Sequence, residues 1–212
     1  MLPKGLYAIA DADYTANVVD WGSALIAAGV GVLQLRAKSW SDEEILLAGS
    51  RLMERAAEGD TIFILNDHPH LAAQIGAHGV HLGQTDISPD VARDIVGEEA
   101  LIGLSTHNLE QVHHVATAPG RLDYLGFGPV FHTASKEQAG AARGTAMLAE
   151  AVRQSVLPVV AIGGITPGAL PAIREAGAHG WATISALCTQ DARCPLHTGY
   201  ILRPAPCSAG EL

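Results

Sequence analysis

Aromatic residues are scarce in this chain, at 5% against 48% hydrophobic residues overall. Its core must then be built from Ala, Val, Ile and Leu, which suits buried parallel strands and argues against an aromatic-rich binding module. No apolar run approaches the roughly 18 residues that a membrane-spanning helix requires, and the N-terminus MLPKGLYAIAD lacks the ordered regions of a signal peptide. A soluble, cytoplasmic protein is the expectation. Cysteine is confined to Cys188, Cys194 and Cys207, an odd number crowded towards one end, so neither a zinc cluster nor a disulfide framework is indicated. Positive charge is short as well. With a formal net charge of −9 the surface repels a nucleic-acid backbone or an anionic membrane, and any basic site has to be local. Ten histidines are present without HExxH spacing, and His68, His70, His113 and His114 fall on predicted helices, which makes them surface residues.

What the 212 residues do contain is a repeat of short apolar runs about every 25 residues, the period of a βα unit rather than a hairpin. The runs begin at Leu6, Val32, Ile62, Gly79, Leu101, Tyr124, Val159 and Ala182. Segments of helical period lie between them, among them the stretch after Ser41, where Ser41 and Glu44 have capping-box spacing. Gly29, Gly76 and Gly177 close three of these segments where a left-handed cap is needed. Eight strict βα alternations predict an α/β fold, a closed (β/α)8 TIM barrel. The open doubly wound sheet would expect a GxGxxG loop after the first strand, and none is there. The final helix is expected to be irregular or missing, because RCPLHTGYILRPAPCSAGEL carries three prolines and no helical period. The expected organisation is a barrel domain over 1–188 and an irregular tail over 189–212.

In a barrel of this kind chemistry sits where the strands end, and those ends are polar here. The second run ends in Gln34, Arg36 and Lys38, the third in Asn66 and Asp67, and the fourth leads to Gln84 and Asp86. Ser105, Thr106 and His107 follow the fifth; Thr133, Ser135 and Lys136 follow the sixth. Two of the three lysines, Lys38 and Lys136, fall at strand ends, so with Arg36 they predict a local positive pocket for phosphate or diphosphate. Asp67 and Asp86 end neighbouring strands, and their mutual repulsion is relieved by a hard cation. Mg2+ is the expected cofactor, since it takes one or two carboxylates and fills its remaining positions with water and substrate phosphate. A helix cap for Asp67 and a turn for Asp86 are the plainer alternatives. Gly163 and Gly164 let backbone amides approach a phosphate, and Ile184 with Ser185 offer further N–H groups one strand on. His107 is placed to act as an acid or base.

Taken in order, QLRAK, ND, GVHLGQTD, STH, GPVFHTASK, VVAIGGI and ISAL resemble thiamine phosphate synthase over about residues 6 to 188. The resemblance implies a transferase of thiamine biosynthesis. It would couple 4-amino-2-methyl-5-(diphosphooxymethyl)pyrimidine to 4-methyl-5-(2-phosphooxyethyl)thiazole through a pyrimidine cation and release diphosphate. It also implies that Gln34, Arg36, Lys38, Asn66, Ser105 and Lys136 hold the pyrimidine diphosphate, with Leu35 and Ala37 in the same segment, and that Asp67 and Asp86 bind Mg2+. Thr133, Ala134 and Ser135 would meet the thiazole phosphate, with Gly164, Ile184 and Ser185 around its phosphate. Lys136, Ser105 and Arg36 are the expected catalytic residues. The chain departs from the family pattern at Ala37, where Glu is common, at Ser135, where Thr is common, and in the irregular tail. Partners are thus expected to be small phosphorylated molecules, with no nucleic acid and no membrane, and a homo-oligomer is left open. Three rivals keep the same fold: a thiazole tautomerase using His107, a sugar-phosphate isomerase or epimerase, and a non-catalytic barrel that binds a phosphorylated ligand.

Overall fold

A computed structural model describes residues 1–117, 120–133 and 141–184. Eight parallel strands, β1 (Gly5–Asp11), β2 (Val32–Arg36), β3 (Ile62–Asn66), β4 (Gly79–Leu82), β5 (Leu101–Thr106), β6 (Tyr124–Phe127), β7 (Val159–Ile162) and β8 (Gly180–Thr183), close into a barrel in chain order. Closure is made by β8 against β1, with Gly5 opposite Gly180 and Ala8 opposite Thr183. Seven α-helices cover the outside among the described residues: α1 (Val18–Ala27), α2 (Asp42–Ala56), α3 (Pro69–Ile75), α4 (Pro89–Val96), α5 (Leu109–Thr117), α6 (Gly144–Gln154) and α7 (Leu170–Glu175). The expected barrel is present and the open sheet is excluded. The last strand begins two residues before the run at Ala182, at Gly180. The tail over 189–212, with its cysteines, lies outside the described residues.

Period-two alternation along each strand sorts the side chains into two cores. Leu33, Leu35, Phe63, Leu65, Val80, Leu82 and Leu125 point outward and pack beneath the helices. Tyr7, Ile9, Val32, Ile64, Tyr124, Val160, Ala182 and Ile184 face the lumen. The helices bury one stripe each, as in α2, where Ile45, Ala48, Gly49, Leu52 and Ala56 follow the i, i+3, i+4, i+7 pattern. Its start is the expected capping box: Glu44 N donates to Ser41 Oγ, and Ser41 N donates to the Glu44 carboxylate at 2.8 Å. Burying Leu52 completely contributes about 1.5–3 kcal/mol. Gly29, Gly76 and Gly177 all have positive φ, as the helix ends require.

At the N-terminal face, Arg93 of α4 is buried and gathers the loops before β5 and β6. Its guanidinium donates to the carbonyls of Gly97 (3.0 Å), Glu98 (3.2 Å), Ala100 and Arg121 (2.8 Å), and pairs with Asp123 at 2.6 Å. The same Asp123 oxygen accepts from Ile102 N at 2.7 Å, so the charges are matched and the burial is tolerated. No helix among the described residues is long and apolar enough to cross a membrane.

Candidate active site

The C-terminal strand ends surround one lumenal cavity whose rim carries Gln34, Arg36, Asn66 and Ser105 and whose floor carries Tyr7 and Tyr124. Four of the residues singled out from the sequence therefore share a site, because β2, β3 and β5 each turn the right alternate position inward. Leu35 and Ala37 point the other way. Strand alternation puts their side chains in the core under the helices and leaves their backbone atoms at the rim.

Arg36 is not the bare cation that its spacing suggested. Its guanidinium is ion-paired with Asp11, which ends β1 and is fully buried, and Asp13 lies 3.9 Å away. Asp11 also accepts from Asp13 N at 3.0 Å. The pair fixes the fork of Arg36 in the mouth while offsetting part of its charge. Lys38, the more exposed cation, pairs with Asp67 at 2.9 Å.

Asp67 and Asp86 come together as their strand positions imply. Burial raises the Asp67 carboxyl above its ordinary value; Lys38 opposes this, and the Asp86 carboxylate, close enough to share a hydrogen bond, adds to it. Asp67 does not cap α3: the N-cap is His68, without a side-chain cap bond, so His68 stands at the end of that helix and not within it. Asp67 is held instead at φ 68°, a left-handed conformation that costs a non-glycine residue about 1–3 kcal/mol. Asp86 does close a turn, accepting from Gly83 N at 2.6 Å. Two carboxylates side by side are hard oxygen donors of the kind that Mg2+ takes in ones and twos, so Asp67 and Asp86 are the residues that would hold one.

Below the rim runs a relay of hydrogen bonds. Gln34 Nε2 donates to Tyr7 Oη (2.9 Å), which bonds Tyr124 Oη (2.9 Å); His81 Nδ1 reaches Tyr124 Oη (3.0 Å), and His81 Nε2 reaches Ser105 Oγ (2.9 Å). Burial raises both phenols, so they stay protonated at neutral pH. Two glycines make room: a Cβ on Gly103 would stand 2.1 Å from Tyr124 Cζ, and one on Gly126 would stand 3.3 Å from His81 Cε1.

The remaining expected residues are spread around this centre. Gln84 is exposed and donates to the Ser105 carbonyl at 2.6 Å. His107 leans on the Gly128 carbonyl through Nδ1 at 2.9 Å. Gly163 and Gly164 have φ of 99° and 62°, and a Cβ at either would strike the segment Pro129–His132, so the β6 loop already demands both glycines. Ile184 is buried in the lumenal core, and Thr133 is the last described residue before a gap. Ala134, Ser135, Lys136 and Ser185 lie outside the described residues. Sequence reading missed Asp11, Tyr7, His81 and Tyr124; the signal for Asp11 was an acidic residue closing an otherwise apolar run.

The chain is 42% identical over 166 residues to the thiamine-phosphate synthase of Laribacter hongkongensis, covering 78% of this chain and 77% of that protein. It is 41% identical over 192 residues to the thiamine-phosphate synthase of Koribacter versatilis, covering 88% and 89% respectively. The solved thiamine phosphate pyrophosphorylase from Pyrococcus furiosus superposes with a TM-score of 0.81 at 29% identity, covering 93% of each chain. The family described as thiamine monophosphate synthase matches residues 6–187, and the chain belongs to it.

Proposed function

We propose that this chain is a Mg2+-dependent thiamine phosphate synthase, a transferase that joins the pyrimidine diphosphate to the thiazole phosphate and releases diphosphate. The observation that carries the reading is the Lys38–Asp67 ion pair beside Asp86, close along the chain to Arg36 and Asn66, which line the lumenal cavity, in a chain of this family. When bound, Mg2+ supplies positive charge to the departing diphosphate, with Asp67 and Asp86 as its protein ligands.

Arg36 and Lys38 face the same leaving group. As the C–O bond of the pyrimidine methylene breaks, its electron pair moves onto the diphosphate oxygen, and negative charge grows where these cations are already fixed. Interactions that strengthen along this coordinate favour the transition state over the ground state. Gln34, Asn66 and Ser105 orient the pyrimidine ring, and the apolar walls from Ile9, Val160 and Ile162 keep water from the cation that remains. The thiazole nitrogen then donates its lone pair to the methylene carbon. No side-chain nucleophile is needed. Lys136 acts with Arg36 on the diphosphate, and Thr133, Ala134, Ser135, Gly164, Ile184 and Ser185 receive the thiazole phosphate, as the resemblance implies. The substrates are small phosphorylated molecules, and a cytoplasmic site of action follows from this role.

The direct test mixes the purified protein with both substrates and Mg2+ and follows thiamine phosphate and diphosphate, with a metal-free control. Metal-dependent formation of both products supports the proposal. A folded protein that binds either substrate without coupling them refutes it in favour of the tautomerase or the silent binder.

A further inference from the structure

The relay under the rim has a direction, and the direction follows from counting protons. Gln34 spends an amide N–H on Tyr7, so the Tyr7 oxygen is an acceptor there; either phenol can donate in the Tyr7–Tyr124 bond, and the arrangement that leaves no hydroxyl hydrogen unused sends that of Tyr7 to Tyr124. Tyr124 in turn has one hydrogen, and the next atom in line is His81 Nδ1. A neutral imidazole that accepts at Nδ1 carries its proton on Nε2, which therefore donates to Ser105 Oγ. The Ser105 hydroxyl, already accepting, has its own hydrogen to give away from His81. At the far end Gln34, with one N–H committed, can turn its carbonyl oxygen to the cavity that both residues line.

We propose that His81, held as the Nε2–H tautomer by Tyr124 and Tyr7, is a positioning residue that makes Ser105 a donor and Gln34 an acceptor towards the ligand, and so selects aminopyrimidines over their 4-oxo counterparts. The inference rests on the proposed function for its ligand and on the relay for its polarity. An aminopyrimidine offers both complements, an exocyclic N–H and a ring-nitrogen lone pair. The 4-oxo ring reverses them, presenting a carbonyl and a ring N–H. To accommodate it, either the phenols and the His81 tautomer reverse together, or Gln34 turns its second N–H to the ring and Ser105 accepts twice, leaving the Gln34 carbonyl and the Ser105 hydrogen without a ligand partner. The tilted rings, with centroids 6.0 Å apart for Tyr7–Tyr124 and 5.5 Å for His81–Tyr124, leave the path short and continuous. Two mismatched hydrogen bonds predict discrimination of about 100-fold, roughly tenfold for each.

The experiment has two arms. Ring 15N spectra of the free protein, with His81 assigned by difference from His81→Gln, should show a pyridine-type Nδ1 and a protonated Nε2. Competition binding of the pyrimidine diphosphate and its 4-oxo analogue, with Mg2+ present, should give the wild-type preference of about 100-fold and a preference below about tenfold in Tyr124→Phe. Inorganic diphosphate, which does not touch the relay, should bind both proteins equally; Tyr7→Phe provides the same cut if Tyr124→Phe does not fold. A proton on Nδ1, or an undiminished preference in both phenylalanine variants, overturns the proposal. A wild-type protein that binds diphosphate but neither pyrimidine overturns the proposed function and the selectivity with it, a result distinct from the first because there pyrimidine binding survives.

Discussion

Replacing Asp11 with Asn tests whether the buried ion pair governs both the stability of the barrel and the reach of Arg36. Asn keeps the shape of the side chain, so no cavity opens; what is lost is the negative charge beside a guanidinium only 13% exposed. Breaking one partner of a buried pair costs about 3–5 kcal/mol, and the low end, about 3 kcal/mol, applies because Asp13 remains as a distant counter-charge. For a chain of this length each kcal/mol moves the midpoint by about 2–4 °C, so Tm should fall by about 6–12 °C. Arg36 also loses the anchor that aims it, and KM for the pyrimidine diphosphate should rise about tenfold while that for the thiazole phosphate stays put. Thermal unfolding followed by circular dichroism and initial rates with each substrate varied give both numbers. A midpoint within about 2 °C of wild type, together with unchanged KM values, would refute the reasoning.

Asp86→Asn retains an oxygen for Gly83 N but loses a full anionic ligand, so Mg2+-dependent turnover should drop about 100-fold with Tm unchanged; wild-type turnover would remove Asp86 from the metal site. Lys136→Ala should raise KM for the pyrimidine diphosphate more than for the thiazole phosphate, and equal increases would contradict its assignment. Gly103→Ala sets a methyl 2.1 Å from Tyr124 Cζ and 2.5 Å from its hydroxyl, and should destabilise the fold by about 1–3 kcal/mol in urea titrations; an unchanged midpoint would mean the ring has room to move. His78 accepts from Phe63 N at 3.0 Å through Nδ1, and burial lowers its pKa below the ordinary 6.5. The unfolded chain therefore takes up a proton before the folded one does: the contribution of His78 is complete above about pH 6.5 and is lost as pH falls towards the folded value. His78→Gln should flatten that acid slope, measured as Tm against pH.

The barrel was legible because strand and helix periods alternate strictly, and because Gly29, Gly76 and Gly177 mark helix ends where a left-handed residue is needed. β8 was set too late because Gly180 and Trp181 do not look like the start of an aliphatic strand. At the site, Arg36, Lys38, Asp67 and Asp86 were readable as charges at strand ends, each a local signal. The counter-charge Asp11 was not, since its partner lies 25 residues on, and the lumenal relay still less, since Tyr7 and Tyr124 are 117 residues apart. The first contact arises when β1 pairs with β2, and the second only once the sheet has closed on itself. For Leu35 the limit is the opposite one: its neighbours in sequence line the cavity, but alternation turns its side chain to the helices.

Arg93 fastens the barrel at the end remote from the cations and carboxylates of the mouth. Because its bonds run to carbonyls of the α4–β5 and α5–β6 loops and to Asp123, sequence change at the opposite rim leaves this clasp untouched. A lineage carrying it can exchange one ligand for another at the mouth without first having to find a new way of keeping the cylinder shut.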